Sequence, residues 1–270
     1  MPIHPTAIID PRAQLDSSVT IGPFCVVEGN VSMGAKSRLY QGVYVTGWTT
    51  IGENAELHPG VIVGHAPQDV KYKGERSYCR IGRNAILREN VSIHRGTEPE
   101  SETVIGDDCF LLGGSHVAHN CRLGNRVTLI NNALLAGHVT IHDGVTLGGG
   151  AMVHQFVRIG ELAMIAGQAR VPKDIVPFAL TDTEGRIAGM NRVGLRRAGF
   201  TREDSASVRE AYRALFDSKG LFEERLANLA VLADSAPAVQ RLIDFASAPS
   251  KRGLAGRTRR RAGVSESDTE

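Results

Sequence analysis

The sequence predicts a mainly β chain that winds as a solenoid and then continues into α-helices. A Val, Ile, Leu or, once, Met recurs at every sixth position from Ile3 to Val63, from Ile81 to Ile93 and from Ile105 to Val171. A period of six fits neither a helix nor a plain strand, but it fits a chain that turns a corner after each short strand. Three such strands per coil are typical of the left-handed parallel β-helix, which we predict for residues 1–177.

The composition agrees with a core built from aliphatic side chains. Aromatic residues make up only 5% of the 270 residues, whereas 30 residues are glycine, so the chain turns often. The 31 basic and 29 acidic residues leave a net charge of +2, which gives no argument for nucleic-acid binding. The sequence also lacks a long apolar run and a basic segment followed by an apolar one. We therefore expect a soluble, cytoplasmic protein without stable membrane insertion.

The cysteines follow the same six-residue pattern. A small or β-branched residue lies four positions after each aliphatic residue and suits the tight corners of the coil. Cys25, Cys109 and Cys121 occupy this position, so we interpret them as buried packing residues. The fourth cysteine, Cys79, forms no Cys-x-x-Cys pair with the others, so neither a zinc site nor a disulfide framework is indicated.

Two interruptions break the period without changing its phase. They cover residues 64–80 and 97–104, and we interpret them as loops that leave the solenoid wall. Long loops on a compact domain often carry functional residues.

The period ends after residue 177, where a helical domain over 178–247 is predicted. Thr201 and Asp204 have the spacing of a capping box, and apolar residues follow at helical intervals. Residues 248–270 have no apolar period, and we expect them to form a disordered, arginine-rich tail.

Histidines are the strongest chemical signal, and six of the nine lie in one stretch, at His94, His116, His119, His138, His142 and His154. Because three strands complete a coil, residues eighteen apart stack on the same wall. His119 therefore lies beneath Gly137, where the missing side chain leaves room for an imidazole. Its side chain is predicted to point outward, where an imidazole can act as a general base near neutral pH.

Metal binding is the alternative role for these histidines. The γ-carbonic anhydrases share the predicted solenoid and bind zinc through histidines of two subunits. Here His116 and His119 are three residues apart, and Arg83 stands two coils upstream of His119. This spacing does not favour a zinc site, and we expect no metal.

Several motifs point to one family. The most specific are Gln68-Asp69-x-Lys71 in the first interruption and His116-x-x-His119 on the wall. Together they resemble the UDP-N-acetylglucosamine O-acyltransferases that open lipid A synthesis. The resemblance covers residues 3–247 in order and includes the runs at 21–24, 93–97, 135–139, 153–156 and 194–200.

This resemblance implies a homotrimer that moves a 3-hydroxyacyl chain from acyl carrier protein to the 3-hydroxyl of UDP-N-acetylglucosamine, without a cofactor. It implies that His119 is the general base and that the backbone N–H of Gly137 stabilises the oxyanion. Gly167 matches a position that leaves the acyl groove open to long chains, about twelve to fourteen carbons. The implied substrate-binding residues are Gln68, Asp69, Lys71, His94, His116, His138, His154, Gln155 and, from a neighbouring subunit, Asn191 and Arg197.

Three positions depart from the family pattern. Asn120 stands where an aspartate is common; an amide orients the imidazole but adds no charge, so Asn120→Asp is expected to keep or raise activity. Val193 and Ala198 replace charged residues. Two other hypotheses remain: an N-acyltransferase that acts on a 3-amino sugar nucleotide, and an inactive hexapeptide scaffold.

Overall fold

The structure, a computed structural model, describes residues 2–233 and 236–258. Within these residues, short strands are followed by helices α1 (Arg192–Arg197), α2 (Arg202–Phe216), α3 (Phe222–Ala227), α4 (Ala230–Ala233) and α5 (Pro237–Ser247). The strands are β1 (Ile8–Ile9), β2 (Gln14–Leu15), β3 (Thr20–Ile21), β4 (Val26–Val27), β5 (Val31–Met33), β6 (Arg38–Leu39), β7 (Tyr44–Val45), β8 (Trp48–Ile51), β9 (Glu56–Leu57), β10 (Ile62–His65), β11 (Tyr78–Ile81), β12 (Ile86–Leu87), β13 (Ser92–His94), β14 (Glu102–Ile105), β15 (Phe110–Leu111), β16 (His116–Val117), β17 (Arg122–Leu123), β18 (Thr128–Leu129), β19 (Leu134–Leu135), β20 (Thr140–Ile141), β21 (Thr146–Leu147), β22 (Met152–Val153), β23 (Arg158–Ile159), β24 (Met164–Ile165), β25 (Arg170–Val171), β26 (Ala179–Thr181) and β27 (Ile187–Met190).

The strands sort into three sheets because each solenoid strand pairs in parallel with the strand three further along the chain. Sheet I contains β1, β4, β7, β10, β13, β16, β19, β22 and β25; sheet II contains β2, β5, β8, β11, β14, β17, β20 and β23. Sheet III contains β3, β6, β9, β12, β15, β18, β21, β24 and β26, with β27 antiparallel at its end. The predicted left-handed parallel β-helix with C-terminal helices is confirmed.

The aliphatic ladder forms the core. In sheet I, Val63, Ile93, Val117 and Leu135 pair in register along successive coils and are almost completely buried. Burying one such side chain contributes about 1.5–3 kcal/mol. The ladder therefore makes the wall rigid, and residues eighteen apart are held in fixed positions on it.

All four cysteines are buried and carry free thiols. Burial raises the pKa of the Cys121 thiol to about 12, and its Sγ lies 3.2 Å from the carbonyl oxygen of Ala136. A thiol with such a pKa is protonated and unreactive at neutral pH. The interpretation of Cys25, Cys109 and Cys121 as packing residues is confirmed.

Both predicted loops leave the wall, and both are shorter than expected. The first covers residues 66–77 between β10 and β11, and the second covers residues 95–101 between β13 and β14. The flanking strands β10, β11 and β14 extend the parallel pairing into the interruptions, whereas β13 ends at His94, so the second loop begins two residues before the predicted start.

The helical segment packs against the C-terminal end of the solenoid. Strands β26 and β27 carry β structure to Met190, so the helices begin later than the predicted boundary at residue 177. Thr201 and Asp204 form the predicted capping box of α2. The Tyr212 hydroxyl of α2 donates a hydrogen bond to the Pro177 carbonyl and ties the helix to the last coil. No helix in the described part of the chain is long and apolar enough to cross a membrane.

Residues 248–258 differ from the expected disordered tail. Leu254 forms a parallel bridge with Asp174, and Arg257 forms one with Ile187. The Lys251 ammonium lies 4.2 Å from the centre of the Phe156 ring. These contacts use backbone pairing and a cation–π contact, which a search for apolar periodicity does not detect. The remainder of the predicted tail, 259–270, lies outside the described residues.

Candidate active site

Histidines form two adjoining rows at one edge of the solenoid. His65, His94 and His116 lie on β10, β13 and β16, with ring centres 6.3 and 4.9 Å apart. His119 and His138 lie in the turns that follow sheet I, with ring centres 5.2 Å apart, and the Phe156 ring stacks on His138 at 4.6 Å. We refer to these residues as the histidine edge. Sequence reasoning missed His65, because it lies inside the first interruption of the period.

Two other histidines of the same stretch are not part of this cluster. His142 follows β20 in sheet II and packs against the Phe245 ring of α5 at 5.5 Å. His154 is exposed, and its Nδ1 lies 3.3 Å from the Gln155 carbonyl oxygen. The six histidines of this stretch therefore do not all lie together: His142 is on another wall because it follows a sheet II strand, whereas His154 follows β22 of sheet I but lies two coils beyond His116.

His119 is held with its two ring nitrogens in different surroundings. Its Nδ1 lies 2.8 Å from Oδ1 of Asn120, and its Nε2 lies 3.8 Å from Oδ2 of Asp69. The imidazole covers Gly137 so closely that a Cβ there would lie 2.6 Å from both Cε1 and Nε2. The predicted stacking of His119 on a glycine gap is thus present in the structure.

The backbone around Gly137 leaves one donor free. Gly137 is buried, and its carbonyl oxygen accepts a hydrogen bond from the N–H of Phe156 at 3.1 Å. Among the described residues, no acceptor meets the N–H of Gly137. A buried backbone N–H without a protein partner beside an imidazole is suited to binding an oxygen atom of a ligand.

The first loop brings Asp69 to the histidine edge. The backbone N–H of Lys71 donates to Oδ1 of Asp69 at 3.0 Å, which fixes the carboxylate within a local turn. The Arg95 guanidinium holds the base of the loop, donating to the Gly64 carbonyl at 2.8 Å and to the Tyr72 hydroxyl at 2.5 Å. Sequence reasoning did not identify Arg95 or Tyr72.

Burial favours the neutral form of three histidines at this edge, His94, His116 and His138. It lowers the pKa of His94 to about 4, and the nearby His116 lowers it further in the same direction. Burial also lowers the pKa of His116, whose Nδ1 lies 2.8 Å from the Ser92 hydroxyl, and that of His138, where Glu98 opposes the effect. Within the described residues, no group of three or more His, Cys, Asp or Glu side chains fits a metal ion.

The family now follows from comparison with known proteins. Residues 174–255 match the family model described as UDP N-acetylglucosamine O-acyltransferase, domain 2. The chain is 41% identical over 254 residues to the acyl-[acyl-carrier-protein]–UDP-N-acetylglucosamine O-acyltransferase of Thermodesulfovibrio yellowstonii, covering 93% of this chain and 98% of that protein. The chain belongs to this family. The relative of the same name from Azorhizobium caulinodans is 43% identical, covering 93% of this chain and 94% of its own.

Solved members of the family share the fold. The UDP-N-acetylglucosamine acyltransferase of Francisella novicida superposes with a TM-score of 0.91 at 33% identity and covers 94% of each chain. LpxA from Acinetobacter baumannii superposes with a TM-score of 0.90 at 37% identity, covering 94% of this chain and 99% of its own. The resemblance stated from sequence motifs is confirmed.

Asn191, which the family resemblance implicated in nucleotide binding, is engaged within the chain. Its Oδ1 accepts a hydrogen bond from the N–H of Gly194 at 2.9 Å and caps α1, and its Nδ2 donates to the Leu162 carbonyl at 2.7 Å. Arg197 is exposed near the end of the same helix. In this structure Asn191 therefore orients α1 on the solenoid, and Arg197 presents its charge to solvent.

Gly167 lies on a different edge from His119. It is exposed and follows β24 of sheet III, whereas His119 follows β16 of sheet I. A Cβ at Gly167 would meet only the backbone of Gly149, at 3.5 Å or more, so a side chain can be accommodated there. Gln68, Lys71 and Gln155 are exposed around the histidine edge.

The structure also contains an arginine-rich cavity that sequence reasoning missed. It has a volume of about 630 Å³ and lies between the end of β27, α1, α2 and the segment after α5. Asp217 is its only acidic lining residue among those described, and its Oδ2 pairs with Arg257. Six arginines line it: Arg192, Arg196, Arg202, Arg209, Arg213 and Arg257.

Proposed function

We infer that this chain is an acyltransferase that moves a 3-hydroxyacyl group from acyl carrier protein to the 3-hydroxyl of UDP-N-acetylglucosamine, the reaction that opens lipid A synthesis. The inference rests on family membership and on one observation of geometry. His119 keeps Nδ1 on Asn120 and leaves Nε2 facing Asp69 beside the free N–H of Gly137. A base and an oxyanion donor are then adjacent, as acyl transfer to a hydroxyl requires.

In the proposed reaction, the sugar 3-hydroxyl oxygen attacks the thioester carbonyl carbon while its proton passes to Nε2 of His119. The Gly137 N–H donates to the oxyanion of the tetrahedral intermediate. The intermediate collapses with cleavage of the C–S bond, and the imidazolium returns the proton to the carrier thiolate. The thioester is already a good acyl donor, so no acyl-enzyme and no cofactor are required. Such a base typically contributes about 10²–10⁴-fold to the rate.

We propose that the residues around His119 bind the two substrates. Asp69 and His138 lie beside His119 and are assigned to the sugar, while the exposed Gln68, Lys71 and Gln155 surround the entrance. His94, His116 and His154 are retained as binding residues of the same face. Leu134 and Met152 continue the His116 row in register and are 41% and 42% exposed. They would give the acyl chain an apolar wall beside the imidazole.

A homotrimer explains why the proposed site residues are spread over several edges. Gly167 lies after sheet III and His119 after sheet I, so one subunit alone does not bring them together along one wall. In a groove between two parallel solenoids, the Gly167 edge of one subunit can face the histidine edge of the other. The same arrangement would bring Asn191 and Arg197 to a neighbour's nucleotide.

The arginine-rich cavity supports acyl carrier protein as the second partner. Guanidinium groups bind carboxylates and phosphates in a bidentate geometry, and several on one surface also steer an acidic partner. The cavity lies on the helical segment, and none of the described residues that line it belongs to the histidine edge. A cytoplasmic location is proposed with it, and the four free thiols fit a reducing compartment.

The test is to incubate the protein with UDP-N-acetylglucosamine and a series of 3-hydroxyacyl carrier proteins and to weigh the products. The 3-amino analogue of the sugar nucleotide is supplied in parallel. We expect transfer to the 3-hydroxyl acceptor, with the longer donors preferred. Faster transfer to the 3-amino acceptor would favour the N-acyltransferase hypothesis, and no transfer to either acceptor would favour the scaffold hypothesis.

A further inference from the structure

The second loop places a carboxylate behind the Asn120 amide. Nδ2 of Asn120 donates a hydrogen bond to Oε2 of Glu98 at 2.8 Å. Oδ1 of the same amide accepts from the backbone N–H of Thr97 at 3.0 Å and lies 2.8 Å from Nδ1 of His119. The backbone N–H of Asn120 is fixed in turn by the Thr103 hydroxyl, also at 2.8 Å. Asn120 therefore connects Glu98 to His119.

The partners of Asn120 determine which way the amide faces. A backbone N–H only donates, so the amide atom that meets Thr97 must be the oxygen. A carboxylate accepts, so the atom that meets Glu98 must be the NH2 group. The imidazole then meets the amide oxygen, and its Nδ1 must carry the proton. This leaves the lone pair of His119 on Nε2, the nitrogen that faces Asp69.

We propose that Glu98 is a positioning residue, which supplies through the Asn120 amide the negative charge that stabilises the imidazolium of His119 during acyl transfer. The proposal rests on the proposed role of His119 as the base. Glu98 takes the place of the carboxylate that the sequence pattern of the family puts at position 120. In a hydrogen-bonded chain from imidazole to amide to carboxylate, each bond polarises the next. The negative charge therefore stabilises the imidazolium although no proton moves along the chain.

The size of the effect is limited by exposure. The Glu98 side chain is 56% exposed, so solvent screens its charge more than that of a buried carboxylate. Direct removal of an oxyanion donor typically costs about 10²–10³-fold in kcat. A screened charge that acts through one amide should contribute less, about tenfold. Glu98 also lies 3.8 Å from Nε2 of His138, so its effect on substrate binding must be separated from its effect on kcat.

The first test is Glu98→Gln, which keeps an acceptor for Asn120 but removes the charge. We expect kcat to fall about tenfold, with KM within about twofold, because the imidazolium forms only during the reaction. Glu100→Gln is the matched control, since Glu100 lies in the same loop but bonds the Tyr78 hydroxyl at 2.7 Å. Equal kcat values for the two variants would overturn the proposal, as would a loss seen only in KM.

The second test asks whether position 120 can replace the charge. Asn120→Asp in the Glu98→Gln background puts the carboxylate directly against the imidazole and is expected to restore kcat to within about threefold of the wild type. The single change Asn120→Asp sets two carboxylates side by side, so it should be less active than this double variant. The sequence alone led to the expectation that Asn120→Asp keeps or raises activity, and the position of Glu98 replaces that expectation. Glu98→Gln would then lower kcat in the wild-type background and raise it in the Asn120→Asp background. The same sign of effect in both backgrounds would overturn the proposal.

Failure of this proposal can be distinguished from failure of the proposed function. If His119→Ala retains activity, the general base is misassigned, whatever Glu98 does. If His119→Ala is inactive and Glu98→Gln behaves like Glu100→Gln, the base stands and only the role of Glu98 is excluded.

Discussion

His94 and His142 occupy the same phase of the six-residue repeat but have different surroundings. Each directly follows an inward aliphatic residue, and the two are 48 residues apart. His94 lies in sheet I between His65 and His116 and is almost completely buried. His142 follows a sheet II strand and is exposed, with one ring contact to Phe245 of α5. The repeat thus fixes the phase of a side chain within its coil, whereas the wall on which it lies and its neighbours determine its burial and its contacts.

The largest expected contrast is between His119→Ala at the histidine edge and His142→Ala beside α5. Loss of the general base should lower kcat by about 10²–10⁴-fold with little change in melting temperature. Loss of His142 should leave kcat within about twofold and remove an aromatic contact worth about 0.5–1.5 kcal/mol of stability. Steady-state kinetics and thermal unfolding of both variants check the contrast. A His119→Ala enzyme that keeps more than about a tenth of its activity would contradict the assignment.

The next contrast uses two glycines at the same position of the repeat, Gly137 and Gly113. A methyl group at Gly137 would lie 2.6 Å from Cε1 and Nε2 of His119, so Gly137→Ala must push the imidazole aside. At Gly113 the nearest atom is Nδ2 of the flexible Asn131 side chain, at 3.2 Å. We expect kcat to fall about a hundredfold for Gly137→Ala, because a small misplacement of a catalytic group is costly.

Gly113→Ala should keep kcat within about twofold of the wild type. Neither glycine has a positive φ, so backbone strain does not separate the two variants. If both lost activity equally, the close packing of His119 on Gly137 would not be what positions the base.

The sequence was most informative where the period is unbroken. The inward ladder, the buried corner cysteines and the stacking of His119 on Gly137 all follow from counting in sixes and eighteens. Counting does not extend into the loops, so the position of Asp69 beside His119 and that of Glu98 beside Asn120 were not predictable from spacing. Arg95 and Tyr72, which hold the first loop, interact across an interruption of the repeat, and no local pattern marks such a contact.

Two other misses have a different cause. The segment at 248–258 pairs through its backbone with Asp174 and Ile187, and the sequence contains no signal for an isolated bridge. The arginines of the arginine-rich cavity are spread along the sequence from Arg192 to Arg257, so they form a common surface only after the helices have packed.

A substitution at Gly167 tests whether the edge that follows sheet III takes part in the site. Since Gly167 and His119 lie on different edges of one solenoid, Gly167 can limit the acyl chain only in a groove shared by two subunits. Gly167→Met should then shift donor preference to shorter chains. Each excluded methylene forfeits about 0.8 kcal/mol of burial, which is about fourfold in relative kcat/KM. Competition between donors of two lengths measures the shift, and an unchanged ranking would remove Gly167 from the groove.

The smallest expected effect concerns stability and returns to His94 and His142. Burial lowers the pKa of both. At His94 the neighbouring cationic groups, His116, His65, His119 and Arg95, act in the same direction. At His142 Arg158 also lowers the pKa, but Glu161 and Asp143 oppose the shift. A histidine whose pKa is lowered to about 4 binds its proton mainly after unfolding. Its contribution to stability is therefore complete above the unfolded value near 6.5 and is lost as the pH falls toward 4.

Between pH 7 and pH 5, the free energy of unfolding of His94→Gln should fall by about 1–2 kcal/mol less than that of the wild type, and the difference should be smaller for His142→Gln. Urea unfolding of the wild type and the two variants at one protein concentration measures these free energies. An equal or larger effect at His142 would show that the shared phase of the repeat, rather than the surroundings on each wall, determines the pKa shift.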